Sequence, residues 1–205
     1  MATSLKDLEI APGVKASKWR ELKLDDTSEL TKDWIEAINI FRSRIEFRFF
    51  EPIDQLIALD GNAEKQRCGF VVLAIDCLVI EAIQGFRDGI VEHHGKSKTL
   101  FKKFLVSWDA FAKCVPAEQS IEEKAAQFFR DCRSALHHSA ATASGFRVGV
   151  SGPMLRFQDD GVSLNRDVFH SKLKEEFECY ISELQNPQNA SLRGNLKSKM
   201  DGISY

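Results

Sequence analysis

Apolar side chains recur every three or four positions from Ser28 onward, which is the period of an amphipathic α-helix. Trp34, Ile38 and Phe41 follow this spacing, and Ser28 has a side chain that favours the start of a helix. Pro52 lies further along the same pattern and predicts a kink or a break, because proline lacks a backbone N–H and its ring crowds the preceding turn. The pattern therefore predicts one long helix in two parts.

The next helical segment, CGFVVLAIDCLVIEAIQGF, is apolar on nearly all sides, which is typical of a helix in the centre of a bundle. Asp76 and Glu81 interrupt this apolar run. A carboxylate inside a protein has to be paired or hydrogen-bonded, because removing it from water without a partner is unfavourable. Two arrangements fit: both carboxylates reach water at the edge of the apolar face, or one of them holds an arginine or histidine of the later FFRDCRSALHH helix.

The second half of the chain predicts two further helices, a small sheet and a final long helix. The segment TLFKKFLVSWDAFAKC repeats bulky apolar residues at helical spacing, and the helix after it runs from about Glu118 through FFRDCRSALHHSA. Residues 146–165 alternate between apolar and polar side chains, and two groups of turn residues interrupt the alternation. This pattern predicts an antiparallel β-hairpin or a three-stranded insert. The last long helix begins at about Arg166.

These elements predict a mainly α fold, a bundle of four to five helices with the small β insert before the last long helix. Residues 1–27 show no sustained period and predict a loosely packed arm with at most a short helix. We expect residues 28–205 to form a single helical-bundle domain with the β insert at about 146–165.

Composition restricts the class of protein and the compartment that we expect. Apolar residues make up 43% and charged residues 28% of the 205 positions, as in an ordinary globular domain, and the net charge of -2 argues against coating nucleic acid through bulk charge. The five cysteines are odd in number and form no C-x-x-C pair, which is typical of a reduced, cytoplasmic protein. The first residues do not resemble a signal peptide, and we expect no stretch of membrane-spanning length and no membrane partner.

Reactive groups concentrate in FFRDCRSALHHSA, where Arg130, Arg133, His137 and His138 lie within nine residues. Arginine is a permanent planar cation for phosphate oxygens, and histidine exchanges protons near neutrality, so this set suits phosphodiester chemistry without a metal. The alternative is structural, since cations in the last turn of a helix are stabilised by roughly 0.3 to 1 kcal/mol. Composition alone leaves both interpretations open.

Helical spacing separates the four side chains. Residues three, four and seven apart share a face, so Arg130, Arg133 and His137 form one stripe. His138 is turned by about 100° from His137 in a regular helix. We expect His138 to reach the same cleft only if the helix end loosens or a second subunit contributes.

Metal and cofactor chemistry have weaker signals. His93 and His94 are adjacent, but neighbouring residues splay apart on a helix and no acidic or cysteine partner lies at ligand spacing, so a solvated or substrate-facing loop is favoured over a metal site. The chain has no phosphate-binding P-loop and no recognisable carboxylate pair for two-metal catalysis. We expect no metal and no cofactor.

The arginine-to-histidine spacing resembles the ribonuclease signature of the HEPN superfamily of helical bundles, which is arginine, four to six residues and histidine. Arg133 and His138 fit with four intervening residues, and Arg130 and His137 fit with six. The chain from Cys132 to Ile203 also resembles a group of bacterial proteins that share RCxxLHxAxT, a strand pair, NR, a helix and LRxNxKxKMDxI. Ser134 departs from this pattern, replacing its cysteine.

The resemblance implies a homodimer whose paired helices line a shared cleft, and metal-independent cleavage of RNA in many members, although other members bind without cutting. It implies that Arg133 and His138 are catalytic, that His137 and Arg130 assist or replace them, and that the protein is a toxin or a stress or defence effector, with a protein regulator or antitoxin as a further partner. Asp76 and Glu81 are the expected supporting residues. The competing hypotheses are an RNA- or nucleotide-binding module without turnover and a protein-interaction scaffold.

Overall fold

A computed structural model of the chain describes residues 8–61 and 66–204, so the start of the predicted arm before Leu8 lies outside the described residues. The fold is mainly helical, as the sequence predicts, with two small sheets. The elements are β1 (Glu9–Ala11), β2 (Val14–Lys15), α1 (Ala16–Glu21), α2 (Lys32–Ile45), the π-helical turn π1 (Glu46–Phe50), α3 (Glu51–Gly61), α4 (Gly69–Arg87), α5 (Ser97–Ser107), α6 (Asp109–Ala112), α7 (Ile121–Phe128), the π-helical turn π2 (Phe129–Ser134), α8 (Ala135–Ser139), β3 (Phe146–Gly149), β4 (Leu155–Gln158), β5 (Gly161–Asn165), α9 (Arg166–Gln185) and α10 (Ala190–Ser204).

The chain divides into two compact units. Unit 1 consists of the described residues within Met1–Glu51, Gly85–His93 and Phe177–Tyr205, and unit 2 consists of those within Pro52–Gln84 and His94–Glu176. Each unit has its own aromatic core. In unit 1 the Phe41 ring packs against Phe86, Phe177 and Tyr180, with centroid distances of 4.4 to 5.9 Å.

In unit 2 the buried Phe128 ring is the centre of the aromatic core. It stacks on Phe169 at 5.7 Å and contacts Phe101, Phe111 and Phe146 between 5.5 and 6.1 Å. Ring pairs at these separations stabilise a core beyond the area they bury. These five aromatic residues are therefore packing residues.

Pro52 is accommodated by a wider turn rather than by a break. The π-helical turn π1 immediately precedes α3, and the N–H of Glu51 bonds to the carbonyl of Glu46, five residues back. Pro52 has no N–H to donate and its ring crowds the preceding turn, and a π-turn is one way for a helix to absorb such a conflict. Thr31, not Ser28, caps the start of α2, because its side chain accepts a hydrogen bond from the N–H of Trp34 at 3.3 Å.

The part of the predicted arm that the structure describes is packed. Residues 8–27 form the β1–β2 hairpin and the short helix α1, and they bury Ile10 and Trp19. Arg44 donates to the carbonyl of Ile10 and Arg48 to that of Glu9, so two cations of the α2–π1 helix hold the hairpin by its backbone. Loose packing was expected because residues 1–27 show no sustained apolar period. The sequence pattern does not reveal the partners that hold the segment, since Arg44 and Arg48 lie 34 and 39 positions from the carbonyls to which they donate.

Helix α4 is long and apolar enough to span a membrane by length and composition, so the expectation that no stretch reaches this length is wrong. Within the structure 61% of its most apolar window is buried. Burial of this extent is typical of the core helix of a soluble protein, which agrees with its all-round apolar sequence.

The β insert is a three-stranded sheet in the order β3-β5-β4. Strands β4 and β5 are antiparallel, as predicted, but β3 pairs with β5 in the parallel direction. The parallel pair arises because β5 lies between the other two strands, with the segment after Gly149 carrying the chain past it. Asn165 stabilises that path by donating to the carbonyl of Gly152 at 2.9 Å, and its side-chain oxygen caps the start of α9.

The closing LRxNxKxKMD segment is a set of structural anchors in α10 of unit 1. Asn195 donates to the carbonyl of Arg87 at 2.7 Å, and Lys199 donates to the carbonyl of Val91 at 2.9 Å. Arg193 is fully buried and donates to five carbonyls, which belong to Thr27, Ser28, Leu184, Asn186 and Pro187. These contacts explain the polar residues of the segment without a ligand.

A second buried cation stands at the start of α9 in unit 2. Arg166 forms an ion pair with Asp60, and Asp60 also accepts the N–H groups of Arg67 at 2.8 Å and Cys68 at 3.1 Å. The Arg67 N–H, followed by the Cys68 N–H and the Arg166 guanidinium, lowers the pKa of Asp60 to about 2, against the opposing effect of desolvation. This carboxylate joins the end of α3 to the residues before α4.

Replacing Arg193 by lysine should destabilise the protein although the charge is kept. A single ammonium group cannot reach carbonyls on several sides, and each buried carbonyl left without a donor costs about 1 to 3 kcal/mol, so the free energy of unfolding should fall by at least about 2 kcal/mol. Urea unfolding measures this. Arg156→Lys is the matched control at an exposed strand position, and equal midpoints for the two variants would contradict the anchor role.

Acid should weaken the protein partly through Asp60. A carboxyl whose pKa is lower in the folded state stabilises that state above its unfolded pKa and loses this contribution as the pH falls through the folded pKa. The contribution of Asp60 should therefore decline between about pH 4 and pH 2. Thermal unfolding across this range should show a smaller pH dependence for Asp60→Asn than for the unmodified protein, and identical slopes would be inconsistent with the lowered pKa.

Candidate functional site

The arginine and histidine cluster lies on a helix that changes its winding. Helix α7, π2 and α8 follow one another without a break from Ile121 to Ser139, and Arg130 and Arg133 lie in π2. A π-helical turn contains more residues than an α-helical turn, and such turns occur frequently at functional sites. The regular spacing used to place Arg130, Arg133 and His137 on one stripe therefore does not apply through this segment.

Arg133 is held by two residues of other helices. Its Nε and Nη2 groups form an ion pair with Glu81 of α4, and Nη2 also donates to the Ser97 hydroxyl at 2.8 Å. Ser97 in turn donates to Glu81, and the Phe129 ring centre lies 5.6 Å from the guanidinium carbon. This is the second of the two arrangements the sequence allows for the carboxylates of α4.

The geometry leaves one edge of the Arg133 guanidinium open. Its side chain is 21% exposed, and Nη1 makes no hydrogen bond with any residue in 8–61 or 66–204. A guanidinium fixed on one edge by a carboxylate presents its remaining N–H groups in a set direction. Arg133 is thus a cation with a fixed orientation and with N–H donors that no described residue uses.

Asp76, the other carboxylate of α4, pairs with a residue that the sequence analysis does not single out. Its Oδ1 lies 2.8 Å from Nδ1 of His170 on α9, and both side chains are buried. Burial raises the pKa of Asp76, and the hydrogen bond from His170 opposes that shift. His170 directly follows Phe169 and lies three positions before Leu173. This spacing indicates that His170 is on the buried face of α9, so the sequence contained a signal that could have identified it. Asp76 forms no ion pair with π2 or α8 among the described residues.

His137 and His138 lie at the exposed end of the helix. Their rings are 5.0 Å apart and nearly perpendicular, and neither ring is hydrogen-bonded to a residue that the structure describes. Helix α8 ends at Ala140, which adopts the left-handed conformation with φ 51°. Helices commonly end on such a residue, usually a glycine, so the non-glycine Ala140 marks a sharply defined end just after the two histidines.

The chain folds back onto π2 directly after this end. The N–H of Ala143 donates to the carbonyl of Asp131 at 2.8 Å, and the Thr142 hydroxyl donates to the carbonyl of Phe146 at 2.9 Å. Thr142 is thereby explained as a turn residue. The two hydrogen bonds fix the loop that follows the histidines.

Arg130 is the most accessible cation of the cluster. Its side chain is 70% exposed and forms two hydrogen bonds with the neighbouring Asp131, at 2.7 and 3.1 Å. Exposed ion pairs of this kind contribute little to stability, so the guanidinium can leave Asp131 and bind a ligand with only a small loss of free energy.

Two buried thiols pack beneath the cluster. Cys77 of α4 and Cys132 of π2 are free cysteines, and both are buried. Burial, followed by the contact with Cys132, raises the pKa of Cys77 well above its usual range. Thiols in such surroundings behave as packing residues rather than as nucleophiles.

The predicted loop histidines have different surroundings. His93 lies in unit 1, where its Nε2 is 2.8 Å from Nζ of Lys199. His94 is exposed. Within residues 8–61 and 66–204 no group of three or more histidine, cysteine, aspartate or glutamate side chains is arranged to hold a metal ion.

One face of α4 carries both Glu81 and a row of exposed apolar residues. Phe70, Val71, Ala74 and Leu78 are exposed, although such residues are usually buried. At about 100° per residue, Phe70, Ala74, Leu78 and Glu81 fall within an arc of about 80°, and Val71 extends the arc to about 100°. We call these five residues the α4 stripe.

Removing the charge of Glu81 should destabilise unit 2. The Glu81→Gln variant leaves the half-buried Arg133 without its counterion, and a hydrogen bond to a charged group contributes about 1.5 to 3 kcal/mol, so a loss of that order is expected in chemical unfolding. Asp160→Asn is the control, since Asp160 pairs with Arg147 on the exposed surface. A loss no larger than that of the control would contradict an anchoring role for Glu81.

Comparison of the chain with protein-family models, with curated proteins and with solved structures finds no significant match. Its function is therefore inferred from the geometry of π2 and α8 together with the sequence resemblance.

Proposed function

We propose that the protein is a HEPN-like, metal-independent endoribonuclease that acts as a homodimer. Arg133 and His138 are the proposed catalytic residues, assisted by His137 and Arg130. The proposed substrate is RNA in the cytoplasm, and the proposed setting is a toxin or a stress or defence effector.

The observation that carries the proposal is a contrast within the motif. Arg133 and Thr142 have defined partners in the fold, as do the asparagine, arginine and lysine residues of the NR and LRxNxKxKMD segments. Among the described residues, the rings of His137 and His138 pair with each other, and neither ring forms a hydrogen bond or an ion pair. Because no described partner occupies the two imidazoles, both are available for proton transfer at the helix end.

The proposed reaction uses the nucleophile that RNA itself carries. One imidazole accepts the proton of the 2′-hydroxyl, whose oxygen attacks the adjacent phosphorus, and another imidazole protonates the leaving 5′-oxygen. The open edge of Arg133 stabilises the charge that develops on the phosphorane oxygens. The products are a 2′,3′-cyclic phosphate and a 5′-hydroxyl, and no metal is needed to balance these steps.

The α4 stripe supports the homodimer in this proposal. Its apolar residues form an exposed, nearly uncharged surface, and apolar surfaces of this kind favour association with a partner. Glu81 lies on the same face and holds Arg133. A symmetric contact between two stripes would bring the two copies of Arg133 towards one cleft, and a symmetric dimer needs a self-complementary patch of this type.

The Glu81 contact favours a second candidate, an RNA-binding module without turnover. Glu81 compensates the charge of Arg133, which weakens the stabilisation that Arg133 can give to a developing negative charge. This candidate predicts binding through the same cations with no cleavage. In either case a protein regulator that covers His137 and His138 would block the site, because both rings are exposed.

Incubation of the purified protein with RNA in the presence of EDTA tests the proposal. The unmodified protein should release fragments with 2′,3′-cyclic phosphate ends, and His138→Ala should be slower by roughly 100- to 10,000-fold, the usual contribution of a general acid or base. His94→Ala is the matched control at another exposed histidine and should cleave at the normal rate. RNA whose 2′-hydroxyl groups are methylated should remain intact.

Further variants separate catalysis from folding and from association. Arg133→Lys keeps a cation beside Glu81 but loses the open edge of the guanidinium, and the double variant Arg133→Ala/Glu81→Ala removes the proposed phosphate contact without leaving an unpaired carboxylate. Both variants should cleave RNA slowly, and circular dichroism at the assay temperature should show that both are folded. Leu78→Glu should give a monomer with little activity. Equal cleavage by the unmodified protein, His137→Ala and His138→Ala would reject the assignments, and tight RNA binding without products would favour the second candidate.

A further inference from the structure

A small polar cavity of about 110 Å³ lies in unit 2, beside the first residue of α4, the end of β3 and the first residue of α9. Its lining residues are Gln66, Gly69, Val148, Gly149, Val150 and Arg166. None of them takes part in the proposed ribonuclease reaction. The cavity therefore raises a separate question, namely which ligand it fits.

Arg166 brings one unused donor group to this cavity. The residue is only 2% exposed; Nη1 pairs with Asp60, and Nε donates to Asp167 at 3.1 Å. Its Nη2 forms no hydrogen bond with the part of the chain that the structure describes. Nη2 is also not among the side-chain atoms that are sealed from solvent without a partner, so it keeps access to the cavity that Arg166 lines.

The first turn of α4 supplies the second set of donors. The first hydrogen bond there runs from the N–H of Val72 to the carbonyl of Cys68, so the N–H groups of the preceding residues cannot be satisfied within the helix. The start of a 19-residue helix also carries a partial positive charge of about one half. Gly69 has no side chain and allows a ligand to approach this backbone closely.

We propose that this cavity binds a small tetrahedral oxyanion of the phosphate class, either free phosphate or the phosphate end of a monoester. Water occupies about 30 Å³ per molecule in the liquid, so the cavity holds an ion of phosphate size but does not enclose a nucleoside. Arg166 Nη2 and the N–H of Gly69 donate to the ion, and Gln66 also lines the cavity.

The neighbouring carboxylates orient Arg166 and leave its Nη2 group available to an anion. Asp60 shares its charge among the N–H groups of Arg67 and Cys68 and the Arg166 guanidinium, and Asp167 accepts from Nε. A guanidinium held on two sides has a fixed orientation, which leaves less entropy to lose when its last N–H groups bind an anion. Since both carboxylates are close, phosphate should bind more weakly here than at an uncompensated arginine.

Titration of the full-length protein with inorganic phosphate, followed by the backbone amide resonances, tests the proposal against chloride at equal ionic strength. Phosphate should shift the amides of Gly69 and Val150 and raise the melting temperature, because a ligand that binds the folded state stabilises it. Glycerol 3-phosphate in place of phosphate distinguishes the two sources: tighter binding of the monoester identifies a larger ligand, and equal or weaker binding identifies the free ion.

Gly69→Ala is the decisive variant. An added Cβ would lie 3.4 Å from Val148 and 3.8 Å from Arg166, so it fits the fold while narrowing the approach to the helix start. Phosphate affinity should fall by about tenfold or more, the equivalent of one hydrogen bond to a charged group. Gly194→Ala is the matched control in helix α10, where nothing lies closer to the added Cβ than 3.9 Å, and it should bind as the unmodified protein does.

Two results would overturn the proposal. One is the absence of phosphate-specific amide shifts in the unmodified protein. The other is unchanged affinity in both Gly69→Ala and Arg166→Lys when the melting temperatures without phosphate show that both variants are folded. Neither result bears on RNA cleavage, so this site and the proposed ribonuclease stand or fall separately.

Discussion

The organisation of unit 2 depends on the need to pair the charges that α4 carries into an apolar interior. Asp76 and Glu81 lie within a helix that is otherwise apolar over most of its length. Because an unpaired carboxylate inside a protein is strongly unfavourable, the elements packed around this part of α4 have to supply partners. His170 of α9 serves Asp76, while Arg133 of π2 and Ser97 of α5 serve Glu81. These two requirements fix which side chains of α5, π2 and α9 face the core.

The pairing of Glu81 with Arg133 also determines the geometry and the charge of the candidate site. Glu81 and Ser97 orient Arg133 from one edge, and two imidazoles lie four and five residues further along the same helix. The orientation has an electrostatic consequence, since the carboxylate that holds the guanidinium also offsets part of its charge. Because Arg133 has a fixed orientation, it can still stabilise a charge that grows during a reaction; Glu81 reduces this stabilisation, and exclusion of water from the cleft strengthens it. In the proposed dimer the apolar residues of the α4 stripe would exclude that water.

Sequence periodicity identified the helices well, because each buries one face and the spacing of apolar residues reports that face. The mainly α fold, the core position of α4 and the small β insert before α9 are confirmed by the structure. The prediction that β3 is antiparallel to its neighbour was wrong. Whether two strands are parallel depends on how the chain connects them and not on the alternation of side chains within each strand. The expectation that Ser28 caps the helix was wrong for a related reason: Thr27, Ser28 and Thr31 all carry hydroxyl groups just before α2, and only the path of the backbone selects Thr31.

The candidate site was only partly predictable. Arginine, histidine and the carboxylates of α4 are visible as residue types, and the requirement for a buried carboxylate to find a partner is visible with them. The sequence could not assign Glu81 to Arg133 and Asp76 to His170, because such pairs join residues far apart in the chain. The turn π2 was invisible as well, since no residue type specifies a π-helical turn as proline or glycine specifies other turns.

The sequence by itself determined which segments are helical, which residues avoid water and which reactive groups the chain possesses, because those properties depend on neighbours within a few positions. Tertiary structure decided which charges meet, that Arg133 is held while His137 and His138 are exposed, and that Arg166 shares a cavity with the start of α4. The physical reason is that hydrogen bonds and ion pairs act over a few ångströms in space. Only the folded chain brings residues separated by tens of positions within that distance.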